Sequence, residues 1–171
     1  MSRIRALLPL LVVLFWLPPA SADVLWEPYQ STLDGFSILF PGKPEKLDKD
    51  FGNGAIFHQF LVDGGDTAFM VLYTQYAPGT FVGKDAKLIL DKSKESLLAG
   101  QKATVRVDRP FMFGTTPARE FIIDDEHGST QVYRFYLVLD RLYQVICGGP
   151  RGFETSQEAQ RFQNSFRLIA H

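Results

Sequence analysis

The chain has 171 residues, 46% hydrophobic and 22% charged, and its 18 Lys and Arg nearly balance 19 Asp and Glu for a formal charge of −1 at neutral pH. That balance excludes the basic footprint with which proteins hold nucleic-acid phosphates. The only cysteine, Cys147, excludes an intrachain disulfide even in an oxidising compartment.

The first residues carry Arg3 and Arg5 and no acid, then an apolar run from Ala6 to Leu17, then Pro18, Pro19 and the small tripeptide Ala20, Ser21, Ala22. A basic start, a short apolar core and small residues at the end are the layout of a secretory signal. The core falls short of the roughly 20 residues that span a bilayer. Residues 1–22 are therefore expected to be a signal peptide cleaved after Ala22. No cysteine follows at once to accept a lipid, so the expected product is soluble, periplasmic or secreted, with no stable membrane span after cleavage. Cleavage leaves 16 basic against 19 acidic residues, a formal charge of −3. Residues 23–171 read as one α+β domain, long enough to stabilise itself by burial.

A first strand is predicted over Phe36 to Phe40, ending at Pro41 because proline cannot donate to a ladder. Ala55 to Val62 and Thr67 to Tyr76 are rich in β-branched and aromatic residues. Asp63, Gly64, Gly65 and Asp66 between them suit a hairpin turn. The period then changes. From Asp85 to Leu98, Ala86, Ile89, Leu90, Leu97 and Leu98 share one side of a 3.6-residue repeat, and Gly100 stands where a C-terminal cap is expected. Four more strands are predicted: Thr104 to Val107, running irregularly past Pro110 to Phe113; Ala118 to Ile123; Gln131 to Leu139; and Leu142 to Cys147. Short separators make consecutive strands antiparallel. A second helix closes the chain, with Thr155 and Glu158 spaced as a capping box and Ala159, Phe162 and Phe166 as its buried stripe. The expected fold is a single antiparallel sheet of about six to seven strands flanked by two main helices.

In this element order, four segments resemble the PsbP-like superfamily: Phe36 to Pro44 (Phe-Ser-Ile-Leu-Phe-Pro-Gly-Lys-Pro), Pro117 to Phe121, Arg141 to Tyr143, and Phe162 to Phe166. The same fold occurs in a Ran-binding nuclear import factor and in bacterial envelope proteins such as DcrB. The resemblance implies an α/β/α sandwich and a role in binding rather than catalysis. It carries no ligand residue over to this chain, and fold alone does not decide function.

Candidate chemistry is sparse. Asp124, Asp125, Glu126 and His127 form the densest group of potential cation ligands, but without the graded oxygen spacing that hard cations take from a loop; a solvated hairpin turn accounts for them, as it does for Asp63 and Asp66. His58, beside Phe57 and Phe60, could act as a general base, yet no nucleophile motif accompanies it. Cys147 reads either as a reactive thiol near Arg151 or as a small buried hydrophobe beside Val145 and Ile146. Gly148 to Gly152 precede a helix as a phosphate-binding loop does, but Pro150 removes an amide and no Gly-Lys-Ser/Thr ending follows. Arg134, alternating with Tyr133 and Phe135, could line a recognition surface. His171 is terminal and expected to fray. No catalytic set, metal or cofactor is expected, and the ligand-binding residues are unassigned. The expected role is a non-catalytic accessory or binding protein of the bacterial cell envelope, with an unidentified protein or small-molecule partner. The alternatives are an envelope enzyme with an unrecognised site, or a small-molecule or metal carrier.

Overall fold

The computed structural model describes residues 25–169 except residue 53; the leader and His171 lie outside the described residues. Among these residues the strands are β1 (Glu27–Ser31), β2 (Phe36–Phe40), β3 (Glu45–Asp50), β4 (Ile56–Asp63), β5 (Ala68–Gln75), β6 (Ala103–Phe113), β7 (Thr116–Asp125), β8 (Ser129–Val138), β9 (Arg141–Pro150) and β10 (Arg167–Leu168). The helices are α1 (Ala86–Leu98), a 3₁₀ turn (Phe153–Thr155) and α2 (Gln157–Ser165). None is long and apolar enough to cross a membrane.

The strands form two sheets, not the single one expected. A seven-stranded sheet runs β3-β4-β5-β9-β8-β7-β6, and a three-stranded sheet runs β1-β2-β10. Every pairing is antiparallel. The split follows from β2, which alternates strictly between buried and half-buried residues. Such a strand buries one face by lying on a sheet rather than by joining its ladder. Phe36, Ile38 and Phe40 accordingly enter the core over the large sheet.

Both edges of the large sheet are blunted. On β3 all six residues are exposed, and all but Leu47 are charged. On β6 the register slips between Val105 and Val107, and Pro110 sits opposite Arg119. An edge tolerates proline because one side of its ladder is unpaired.

Period-two alternation gives the large sheet two apolar faces. Phe60, Val71, Tyr73, Tyr136, Tyr143, Val145 and Cys147 face the small sheet and α2, where they meet Phe36, Phe40, Phe162 and Phe166. Leu72, Phe121, Tyr133, Phe135, Leu142 and Ile146 face the other way, toward Leu90 of α1. Asp85 caps α1 by accepting from Lys87 N at 2.8 Å, and Gly100 follows at φ +81° as expected. The cap of α2 is one residue later than expected: Ser156 Oγ accepts from Ala159 N at 3.1 Å, while Thr155 Oγ1 donates back to Gly152 O at 2.9 Å.

Asp34, in the β1–β2 connection, fastens the small sheet to the large one. Its carboxylate, 3% exposed, accepts from Tyr29 Oη at 2.7 Å and from Tyr73 Oη at 2.9 Å, with Lys46 Nζ at 3.6 Å. Its carbonyl accepts from Tyr143 Oη at 2.8 Å. Burial pushes the Asp34 carboxyl up, but hydrogen bonds from Ser31, Tyr29 and Tyr73 and the Lys46 charge outweigh it and hold the group below its ordinary value. The carboxylate therefore stabilises the fold fully above the ordinary carboxylate range, and this contribution is lost as pH falls through the lower folded-state value. Asp34→Ala, which strands two tyrosine hydroxyls, should cost about 3 kcal/mol at neutral pH. In thermal melts from pH 7 down to 2, the variant should show a shallower acid limb than wild type.

Candidate functional site

One face of the large sheet is only half covered. Seven strands at about 4.8 Å spacing are roughly 29 Å across, whereas one helix is about 10 Å wide. Helix α1 packs on β7 and β8, which leaves the face of β4, β5 and β9 beside it without a lid. The result is a cleft of about 890 Å³. That lies within the usual range for small-molecule sites.

Its floor is Phe57 of β4, Leu72 of β5 and Leu142 of β9; one wall is Leu88, Ile89 and Leu97 of α1. The far wall, Tyr76 and Phe81, belongs to the β5–α1 connection, with the two rings 4.9 Å apart and nearly perpendicular. This connection is held by Asp140, whose carboxylate accepts from Gly79 N at 2.7 Å and Phe81 N at 3.3 Å. A smaller depression of about 330 Å³ on the same face includes Leu61, Met70, Tyr133 and Ile146.

The polar part of the lining is Lys84, Asp85, Lys92, Ser93, Ser96 and Gln144. Gln144 places a buried side-chain oxygen there that has no hydrogen-bond partner. Such an atom is costly unless something donates to it. Lys84 and Lys92 stand at the margin; Lys84 Nζ lies 5.8 Å from the Phe81 ring centroid, and neither lysine joins an ion pair among the described residues. An apolar floor and wall with one unmet acceptor, and a polar margin of two lysines, Asp85 and two serines, suit an elongated, mostly apolar molecule.

Among the described residues, the groups singled out by sequence do not gather at one place. His58 stacks on Tyr73 with centroids 4.5 Å apart, and its Nδ1 is 2.7 Å from Asp48 Oδ1. Cys147 pairs with Phe69, four residues along β5 from the Tyr73 that faces His58, a separation of roughly 13 Å along the strand. Asp124 lies two strands away, bound to Arg106 at 2.7 Å, Arg151 at 3.5 Å and Thr130 Oγ1 at 2.7 Å; the Thr130 bond, then Arg106 and Arg151, overcome desolvation and lower its pKa. Asp125 Oδ1 accepts from the His127 and Ser129 amides, so it closes the β7–β8 turn. Asp63 does the same for Gly65 N at 2.9 Å. Arg134 is spent inside the protein, on Glu120 at 2.7 Å and on Gln163 O and Asn164 Oδ1 at 3.1 Å. Gly149 has no room for a ligand, because even a Cβ there would lie 2.6 Å from the Phe153 ring.

Of the two readings of Cys147, the structure gives the buried one. The residue is fully enclosed, and burial pushes its thiol up to about 12, against a weaker opposing hydrogen bond from Gln163 Nε2 at 3.6 Å. In native buffer at pH 8, Cys147 should resist a maleimide; in denaturant it should label at the rate of a free thiol, at least about a hundredfold faster.

No family model and no curated protein matches the chain. Among solved structures, the solution structure of cyanobacterial PsbP (CyanoP) from Synechocystis sp. PCC 6803 superposes with a TM-score of 0.57 over 91% of this chain and 99% of that one, at 11% identity. The fold is PsbP-like. At that identity the likeness establishes the PsbP-like fold alone, in agreement with the segments Phe36 to Pro44 and Phe162 to Phe166. A crystal structure from Bacteroides thetaiotaomicron VPI-5482 aligns over 80% of this chain and 46% of its own, at 14% identity and a TM-score of 0.45, too loosely to add to it.

Proposed function

We propose that the chain is an exported, non-catalytic binding protein of the bacterial cell envelope that holds an elongated apolar small molecule in the cleft between α1 and the β4-β5-β9 face. The cleft carries this reading: it is a large concavity with an apolar floor among the described residues, and Gln144 brings a buried, unpartnered oxygen to it. Export is supported by the composition of residues 1–22. The absence of catalysis is supported by how the reactive groups are used, with His58 paired to Asp48, Cys147 sealed and Asp124 bound to arginines. The leading sequence expectation and the small-molecule carrier then describe one protein.

The trial is a titration of the chain from residue 23 with a fluorescent long-chain fatty-acid probe. Every core residue of the described fold lies after that point. Ser96 lines the cleft and is exposed, so Ser96→Trp fills the slot without touching the core. Saturable probe binding is expected in wild type and at least about tenfold weaker binding in the variant, with stability changed by less than about 1 kcal/mol. Equal binding by both proteins would exclude the cleft as the site.

A further inference from the structure

The uncovered face continues along the strands beyond the cleft. In the register of β4, β5 and β9, Phe57, Thr74 and Leu142 form one cross-strand row, Gln59, Leu72 and Gln144 the next, and Leu61, Met70 and Ile146 the third. Residues paired across an antiparallel ladder point to the same side, so the three rows share one face. Phe57, Leu142, Leu72 and Gln144 of the first two rows line the cleft, whereas the third row lines the smaller depression. The two hollows therefore meet between the row of Leu72 and the row of Met70. From Leu142 to Gly148, which also lines the depression, β9 advances roughly 20 Å.

Polarity along this face is not uniform. Phe57 and Leu142 stand on one side of the middle row, and Leu61, Met70 and Ile146 on the other. The middle row itself sets a glutamine on either side of Leu72. On β9 the sequence of inward-facing residues is Leu142, Gln144, Ile146, and the Gln144 Oε1 is buried without a hydrogen-bond partner.

An unmet acceptor there is a selective element. A plain alkyl chain laid over it would seal the oxygen further from water and leave it unpaired, which opposes binding. A hydroxyl reverses that effect, because it donates to Oε1 and its own oxygen can accept from a glutamine Nε2. The last torsion of a glutamine is soft, so the half-buried Gln144 can turn its amide toward the group that pairs with it.

Resting on the binding role proposed above, we propose that the cleft and the smaller depression together hold one long acyl chain that bears a hydroxyl partway along its length, and that Gln144 selects for that hydroxyl. One acyl chain accounts for about half of the roughly 30 Å hydrocarbon core of a bilayer, so a single long chain fills the face along β9. The Gln144 row lies about 7 Å from the Leu142 row and about 13 Å from Gly148, inside the lane. The matching hydroxyl therefore belongs to the chain and not to its head. A site that commits a buried polar group to a ligand hydroxyl discriminates strongly against the analogue that lacks it.

The test is competition against the fluorescent fatty-acid probe by stearate, by stearate hydroxylated at mid-chain and by stearate hydroxylated beside its carboxylate, on the chain from residue 23. The mid-chain hydroxystearate should displace the probe at a concentration at least about tenfold lower than stearate, and the head-hydroxylated acid should behave as stearate does. Gln144→Leu nearly keeps the side-chain volume and removes the orphaned oxygen. That variant should melt no lower than wild type, bind stearate at least as well, and lose the preference for the mid-chain hydroxyl. Equal competition by stearate and its mid-chain hydroxy form would overturn the proposal and leave the cleft standing, provided Ser96→Trp still weakens both. A preference that survives in Gln144→Leu would overturn it too. If neither the probe nor any of the three acids binds wild type, the cleft itself fails and the proposal with it.

Discussion

Because the large sheet is apolar on both faces and the chain supplies unequal cover for them, the shape of the molecule follows from how that cover is distributed. The small sheet and α2 together close one face with a dense set of rings, among them Phe36, Phe40, Phe162 and Phe166. Helix α1, thirteen residues long, closes only the β7-β8 side of the other. The cleft is what remains, and its apolar lining is the ordinary inward-facing set of β4, β5 and β9 left without a partner. Gln144 interrupts that set on β9, a polar residue between Leu142 and Ile146, and its neighbours across the ladder include Leu72 and, one strand further, Gln59.

The same economy governs the ends of the strands. Asp140 serves both the far wall of the cleft, accepting from Phe81 N with its carboxylate and from Tyr76 N with its carbonyl, and the loop that bears Val82. Its neighbour Arg141 reaches Gln75 Oε1 at the end of β5 at 2.5 Å as well as Leu33 O, so a two-residue segment ties the β5–α1 and β1–β2 connections to the β8–β9 turn. Asp34 does for the two sheets what Asp140 does for the loops: one carboxylate replaces many weak contacts. Asp34 is paired at short range in a place that water reaches poorly, where a hydrogen bond to a charge counts for more than on the surface.

Much of the frame was legible in the sequence because it is written in local patterns. The alternation of Phe36 to Phe40, the turn at Asp63 to Asp66, the helical period of α1 and its glycine at residue 100 all emerge where expected. Strand β3 was not legible, since Glu45-Lys-Leu-Asp-Lys-Asp50 has no buried face and is a strand only through its partner β4. Neither was β1, which carries Pro28, nor the two-residue β10; both exist by pairing with β2, and in the case of β10 across most of the chain. The cap of α2 moved from Thr155 to Ser156 because adjacent hydroxyl residues are equally competent by pattern and geometry chooses between them. Leu139, expected to end a strand, instead turns the corner at positive φ, against every local preference of leucine. The cleft was invisible for a different reason: it is made by what α1 fails to cover, and no residue carries that information alone.

The charged and bulged edges of the large sheet bear on crowding. Sheets brought side by side can zip amide to carbonyl into ribbons. Here one border would set Glu45, Lys46, Asp48, Lys49 and Asp50 against any incoming strand, and the other interrupts the ladder at Arg106 and again at Pro110. Both borders therefore disfavour growth of the sheet from one copy of the chain into the next.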